Sequence, residues 1–193
     1  MQSAITLIQE PMNNAIKRLS YCEVIYIADT QDKIRTCIVV KCFSYSSVTA
    51  LLQLSDGDLT MIQLRLNLNK NNHLNVLVGS VYMQYDSQTA LSQKKIEELM
   101  LYIKERRLEL LLDCNVNSHH KWENSNINSR GESLYEFIIA TSLIVLIRGS
   151  EPTFMDSKKQ KVIDILYMQR ESDWPSTRLE SVRRAIRIES QVD

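Results

Sequence analysis

Residues 75–83 read Asn-Val-Leu-Val-Gly-Ser-Val-Tyr-Met, a long and largely apolar run rich in β-branched side chains. A strand that is apolar on both faces fits the middle of a sheet, so this run predicts a central strand. Its neighbours in sequence point the same way. A short apolar run at 4–8 and β-branched runs at 23–28 and 36–40 predict strands, and 48–54 predicts another. Asp56-Gly57-Asp58 supplies turn chemistry before 59–66, where Leu59, Met61 and Gln63 alternate with Thr60, Ile62 and Leu64. An Asn-rich turn comes next at 68–73.

Beyond Asp86 the period changes. Ile96, Leu99, Met100 and Ile103 mark one face of a helix over 92–107, and 108–112 comes directly after it as a buried strand. Ser129 and Glu132 have capping-box spacing at the start of a second helix, whose inner face carries Leu134, Phe137, Ile138 and Thr141. Residues 143–146 and 161–167 predict two more strands, separated by a turn at 149–152, and 178–188 predicts a last helix. Many strands with a few interposed helices make an α/β or α+β layered sandwich.

A chain of 193 residues is one ordinary domain in length. Lys plus Arg balance Asp plus Glu at 23 each, so the overall charge predicts no strong attraction to nucleic acid. Cys22, Cys37, Cys42 and Cys114 lack zinc-ligand spacing, which predicts free thiols in a reducing compartment. No apolar run approaches the roughly 20 residues of a membrane span. The N-terminus has no basic region and cleavage site of a signal peptide, and it starts almost inside a strand. The expectation is an intracellular chain, nuclear or cytoplasmic, with neither secretion nor a membrane span, cut short at its N-terminal side.

Four places hold polar groups that a strand pattern does not require. Glu10 stands at the end of the first strand, and strand ends are where ligands gather in layered α/β folds. Tyr82, with Tyr85 and Asp86 close behind, stands at the exit of the 75–83 strand, where a phenol reaches a phosphate or orients a water. Asp113-Cys114-Asn115-Val116-Asn117-Ser118-His119-His120 crowds carboxylate, carboxamide and imidazole groups after an apolar strand. Such oxygen-rich groups suit Mg²⁺ or Mn²⁺, whereas adjacent His residues on an extended segment point apart and suit zinc poorly. Asp164, flanked by apolar residues in what reads as mid-strand, is costly to bury unless something pairs with it. Against the first three stand plainer readings: a solvated loop Glu, an amphipathic edge aromatic, a polar turn.

These places occur in the order of the endonuclease/exonuclease/phosphatase family signature, and the chain resembles most the endonuclease domains of insect-type non-LTR retrotransposons. The resemblance is carried by Leu7-Ile8-Gln9-Glu10-Pro11, the segment from Ser80 to Ser87, the apolar strand leading into Asn117-Ser118-His119-His120, Asn128-Ser129-Arg130-Gly131-Glu132-Ser133-Leu134, Pro152-Thr153-Phe154 and Ile163-Asp164. It implies a two-sheet α/β sandwich over residues 1–168, lacking the family's first strand; the tail at 169–193 diverges from the family and reads as helical. It implies a Mg²⁺- or Mn²⁺-dependent DNA endonuclease, associated with a reverse transcriptase, that hydrolyses a phosphodiester and leaves a 3′-hydroxyl. By the same resemblance Glu10 is the metal ligand and Tyr82 the phosphate-side phenol. Asn117 is the amide orienting phosphate or water, Asp164 the carboxylate that orients a late catalytic His, and His119 and His120 bind substrate.

Two departures bear on catalysis. Counting back from His119-His120 puts Asn115 where the family has a catalytic Asp; the other register, Asp113-x-Asn115, keeps the bare spacing but shifts it by two. The Asn115 register is favoured because it keeps Ser118-His119-His120 in place. The closing Ser-Asp-His of the family is also lacking, since Ser172-Asp173-Trp174 comes too early and no His comes after His120. Impaired catalysis is therefore expected. The competing readings are a non-catalytic nucleic-acid-binding or interaction module, for which Lys158, Lys159 and Lys161 and Arg183, Arg184 and Arg187 are small basic clusters, and a decayed mobile-element product.

Overall fold

The structure, a computed structural model, describes residues 5–11, 22–27, 33–41, 45–69, 72–83, 93–115, 129–141, 143–145, 154–156, 159–161, 164–169 and 186–188. In chain order the strands are β1 (Ile5–Gln9), β2 (Glu23–Tyr26), β3 (Thr36–Val40), β4 (Tyr45–Ala50), β5 (Leu59–Asn69), β6 (Asn72–Tyr82), β7 (Glu109–Asn115), β8 (Leu143–Val145), β9 (Phe154–Asp156), β10 (Lys159–Lys161), β11 (Asp164–Gln169) and β12 (Ile186–Ile188). Helices α1 (Gln93–Arg106) and α2 (Ser129–Ala140) flank β7 in sequence. Six strands form one sheet in the order β4-β5-β6-β7-β11-β8, four form a second in the order β12-β1-β3-β2, and β9 pairs with β10.

The run at 75–83 is central as expected: β6 pairs antiparallel with β5 and parallel with β7. Its side chains alternate between two cores. Leu74, Val76 and Val78 face Ile5, Leu7, Ile38 and Val40 of the smaller sheet, together with Ile62, Leu64 and Leu111. Leu77 and Val81 face the helical layer, where Leu99 and Ile103 of α1 and Ile138 of α2 pack with Met61, Leu110 and Leu112. Each such buried aliphatic side chain contributes about 1.5–3 kcal/mol. Leu99, Ile103 and Ile138, read from sequence as inner-face positions of their helices, are all buried. The result is a two-sheet sandwich with helices on the outer face of the larger sheet.

Three expectations are corrected. Residues 48–54 do not form one strand, because β4 ends at Ala50 and Leu52–Leu54 closes into a 3-10 turn. The Ser55 hydroxyl donates to the Leu51 carbonyl and accepts from the Met61 amide, which fixes that turn beside β5. Asp164 is not in mid-strand. The 161–167 run divides, with β10 pairing to β9 while Asp164 opens β11, which lies between β7 and β8. Finally, residues 186–188 of the expected last helix are a strand, parallel to β1 with Ile5 opposite Ile186 and Leu7 opposite Ile188. Backbone pairing along an open sheet edge wins there over local helical periodicity. No helix among the described residues is long and apolar enough to cross a membrane.

Candidate active site

Along each strand the face turned toward the other sheet is apolar until it nears one common end, where it turns polar. On β1 the series runs Ile5, Leu7, Gln9, and on β3 it runs Val40, Ile38, Thr36. On β5 it runs Leu64, Ile62, Thr60, on β6 Val76, Val78, Ser80, and on β7 Leu111, Asp113. Register places these turning points in line. Gln9 pairs with Thr36, while Thr60, Ser80 and Asp113 are consecutive partners across the larger sheet.

This buried polar layer is knit across the sandwich. The Gln9 side-chain amide donates to the Ser80 hydroxyl at 3.0 Å, to an Asp113 carboxylate oxygen at 2.9 Å and to the Asp113 carbonyl at 3.3 Å. Ser80 in turn donates to the Ile8 carbonyl at 3.1 Å. Asp113 offers Gln9 only acceptors, so the orientation of the Gln9 amide is determined by its surroundings. Thr36 and Thr60 share a hydroxyl–hydroxyl bond of 2.8 Å, and the Thr60 hydroxyl lies 3.2 Å from the Thr36 carbonyl. Asp113, completely buried, thus sits inside the molecule holding Gln9.

One step nearer the end of the sandwich lie the residues singled out from sequence. Asn115 is the parallel partner of Tyr82 and the antiparallel partner of Asp164, so Tyr82, Asn115 and Asp164 form one row across β6, β7 and β11. Glu10 comes directly after β1, exposed, with a φ of 51°. A positive φ at a non-glycine residue is uncommon and strained, and such strain gathers at functional sites. The Tyr82 hydroxyl hydrogen-bonds the Glu10 side chain. Burial, then that bond and the Glu10 charge, push the Tyr82 phenol up to about 12, so it remains protonated at neutral pH. Asn115 is buried, and its Oδ1 has no hydrogen-bond partner among the described residues; Gln9 Oε1 shares that property. A buried carbonyl oxygen left unpaired costs about 1–3 kcal/mol and calls for an explanation.

Glu10, Tyr82, Asp113, Asn115 and Asp164 therefore all belong to one end of the sandwich, with Asp113 one layer deeper than the others. Asn117, His119 and His120 lie outside the described residues, as do the basic residues Lys158, Arg183 and Arg184. Sequence reading passed over Arg35 and Asp58, which join the same end. Arg35 and Asp58 pair at 2.7 Å, the Arg35 carbonyl accepts from the Glu10 amide at 2.8 Å, and the Asp58 carbonyl accepts from the Tyr82 amide at 2.9 Å. It also passed over Thr36, Thr60 and Ser80. Their signal was available: each is the polar residue that ends an every-second-residue apolar series.

The donors on offer to a metal are oxygens. Among the described residues no group of three His, Cys, Asp or Glu side chains could hold a metal ion. Mg²⁺ is commonly held by one or two carboxylates and keeps several waters. The Glu10 carboxylate together with the unpaired Asn115 amide oxygen fits that pattern in donor type.

A two-sheet sandwich with helices outside and a polar end of this kind is the endonuclease/exonuclease/phosphatase fold. The structure is similar to the endonuclease domain of TRAS1, a telomere-specific non-LTR retrotransposon, with a TM-score of 0.65 at 22% identity, covering 84% of this chain and 70% of that one. It is similar also to ANGEL2, a 2′,3′-cyclic phosphatase solved with adenosine-2′,3′-vanadate, with a TM-score of 0.55 at 12% identity over 85% of this chain and 69% of that one. A mannosyl-6-phosphatase of Bacteroides thetaiotaomicron gives a TM-score of 0.51 at 12% identity over 86% and 71% of the two chains. Comparison with curated proteins gives no match.

The endonuclease–reverse transcriptase family model matches residues 76–179, just over half of the chain, and the chain belongs to that family.

Proposed function

We propose that the domain acts on DNA as a metal-dependent phosphodiester hydrolase whose catalysis is impaired at Asn115. The observation that carries this reading is the row Tyr82, Asn115, Asp164. It puts an amide in line with a phenol and a carboxylate position, where the resemblance implies a catalytic Asp. Asp113, the nearest carboxylate in sequence, lies in the layer beneath and holds Gln9, which argues against its standing in.

Hydrolysis forms a bond between a water oxygen and phosphorus and breaks the bond from phosphorus to the 3′ oxygen. The attacking water must lose a proton and the 3′ oxygen must gain one. A carboxylate beside the water accepts that proton, whereas an amide only hydrogen-bonds it. Tyr82, protonated at neutral pH, is a donor suited to a phosphoryl oxygen. Glu10 would hold Mg²⁺ or Mn²⁺, which when bound supplies positive charge to phosphoryl oxygens and the departing oxygen. Asn117 would orient the phosphate or water, His119 and His120 would contact substrate, and Asp164 would have no late His to orient.

The test is nicking of supercoiled plasmid by purified protein with Mg²⁺ or Mn²⁺. Weak, metal-dependent nicking that vanishes in Glu10→Ala is expected. Robust nicking abolished by Glu10→Ala overturns the impairment, and nicking unchanged by Glu10→Ala overturns the site.

A further inference from the structure

Glu10 and Tyr82 belong to different sheets, and no covalent or sheet-ladder link sets the distance between their side chains. Glu10 leaves the end of β1, in the smaller sheet, and Tyr82 ends β6, in the larger. Their side chains nevertheless meet, with the Tyr82 hydroxyl bonded to the Glu10 carboxylate. Behind them Arg35, immediately before β3 of the smaller sheet, reaches Asp58, immediately before β5 of the larger one. The backbone carbonyls of that pair hold the backbone amides of Glu10 and Tyr82. The links close into a ring across the seam: Glu10 backbone to Arg35, Arg35 side chain to Asp58, Asp58 backbone to Tyr82, Tyr82 side chain back to Glu10.

We infer that the Arg35–Asp58 ion pair is a positioning clamp, which sets Glu10 and Tyr82 at their working separation across the two sheets. This inference rests on reading Glu10 and Tyr82 as site residues. Three features carry it. First, Glu10 holds a left-handed φ of 51°, a conformation that persists only where the surroundings enforce it, and the 2.8 Å bond to Arg35 is one such constraint. Second, Asp58 is itself anchored, its amide donating to the Asp56 side chain at 2.9 Å, and Asp56 pairs with Lys95 of α1. The clamp therefore stands on a braced turn rather than on a loose loop. Third, the pair is part-buried and short at 2.7 Å, the geometry of a charge-assisted bond that tolerates little displacement. Neither residue touches the reacting atoms in this scheme. They act through Glu10 and Tyr82.

The experiment reads Tyr82 directly, in protein labelled with ¹³C at tyrosine Cζ, with its resonance assigned through Tyr82→Phe. Glu10→Ala defines the signal of a Tyr82 that has lost its acceptor. Arg35→Met and Asp58→Ala, each verified as folded by circular dichroism, are expected to move the Tyr82 signal at least halfway to that reference. The charge exchange Arg35→Asp with Asp58→Arg is expected to return it toward the wild-type position. Asp56→Asn, which removes the Lys95 pair from the same turn but leaves the clamp charges alone, is expected to leave it in place. Should Arg35→Met not fold, Arg35→Lys and the charge-exchanged protein carry the same comparison. A Tyr82 signal that stays put in folded clamp variants overturns the proposal. Where plasmid nicking is measurable, the clamp variants should lower its turnover about ten-fold with little change in DNA affinity, as misplaced groups do. Wild-type protein that never nicks would sink the nuclease reading while the Tyr82 signal still judges the clamp.

Discussion

Tyr82 and Asn115 are direct partners in the parallel pairing of β6 and β7, and the Asn115 carbonyl accepts from the amide of Met83, the residue after Tyr82. This fixes Asn115 beside the phenol of the candidate site. Replacing Asn115 with Asp puts a proton acceptor at that position without altering size. General-base groups contribute on the order of 10²–10⁴-fold, so Asn115→Asp should raise metal-dependent plasmid nicking by about ten-fold or more. Full activity should not return, since the resemblance implies a late His that the chain lacks. The decisive comparison is with Asp113→Asn. Loss of nicking in Asp113→Asn at unchanged stability, with no gain in Asn115→Asp, would place the catalytic carboxylate at Asp113 instead.

The two neighbouring positions should also separate in stability. Asp113→Ala takes from the buried Gln9 amide its carboxylate acceptor at 2.9 Å, leaving it the Ser80 hydroxyl and the backbone carbonyl of residue 113, and a hydrogen bond to a charged group is worth about 1.5–3 kcal/mol. Asn115→Ala removes an oxygen that has no partner among the described residues, so its cost should stay within about 1 kcal/mol. Urea denaturation of both variants checks the contrast. Equal losses would mean that Asn115 is as much a part of the packed interior as Asp113.

Local signals made most of the sandwich legible. The period of two in β5, the apolar run of β6, the β-branched composition of β3 and the apolar stripe of α1 each arise from residues within one element, and each element is found there, although β5 runs on to Asn69 and β6 begins at Asn72, inside the segment that reads as an Asn-rich turn. The errors fall where partners from far along the chain decide. Ile186–Ile188 is a strand because β1 offers it an edge, a partner roughly the whole chain away. Asp164 opens a strand because β7 and β8 both pair with the residues just after it. At the site, Glu10, Tyr82 and Asn115 stood out because reactive side chains follow apolar strands, and Asp164 because a carboxylate among apolar residues is costly to bury. Arg35 and Asp58 did not, since their link to Glu10 and Tyr82 runs through backbone carbonyls, which no side-chain pattern encodes.

Gly79 makes a purely structural prediction. It lies on β6 between Met61 of β5 and Leu112 of β7, and a Cβ there would overlap both Met61 Sδ and Leu112 Cδ2. Both neighbours are buried in the core beneath the helices, so they have little room to yield. Gly79→Ala should cost about 1–3 kcal/mol, the range for overpacking a filled core. A lower urea midpoint with an unchanged slope would report this. An undiminished midpoint would show that Met61 and Leu112 have free space to move into.

Cys37 links the smaller sheet to pH. It is a free thiol on β3, fully buried, and burial pushes it from 9.0 up to about 12. Below pH 9 the thiol is protonated in both folded and unfolded chains and contributes no pH dependence. Between pH 9 and 12 the unfolded thiol ionises while the folded one does not, so unfolding is favoured by about 1.4 kcal/mol per pH unit. The stability that burial of the neutral thiol provides is thus intact below the unfolded value and is lost as pH rises toward the folded one. Cys37→Val, similar in volume and without a proton to lose, removes this slope and leaves that of every other group. The stability of wild type relative to Cys37→Val should therefore fall by about 1.4 kcal/mol between about pH 8 and about pH 10. Native protein near pH 8 should also react with a thiol reagent at Cys37 only through unfolding, more slowly than at the partly exposed Cys22. A constant difference between the two proteins across that pH range, or rapid native-state labelling of Cys37, would show that the thiol is open to water.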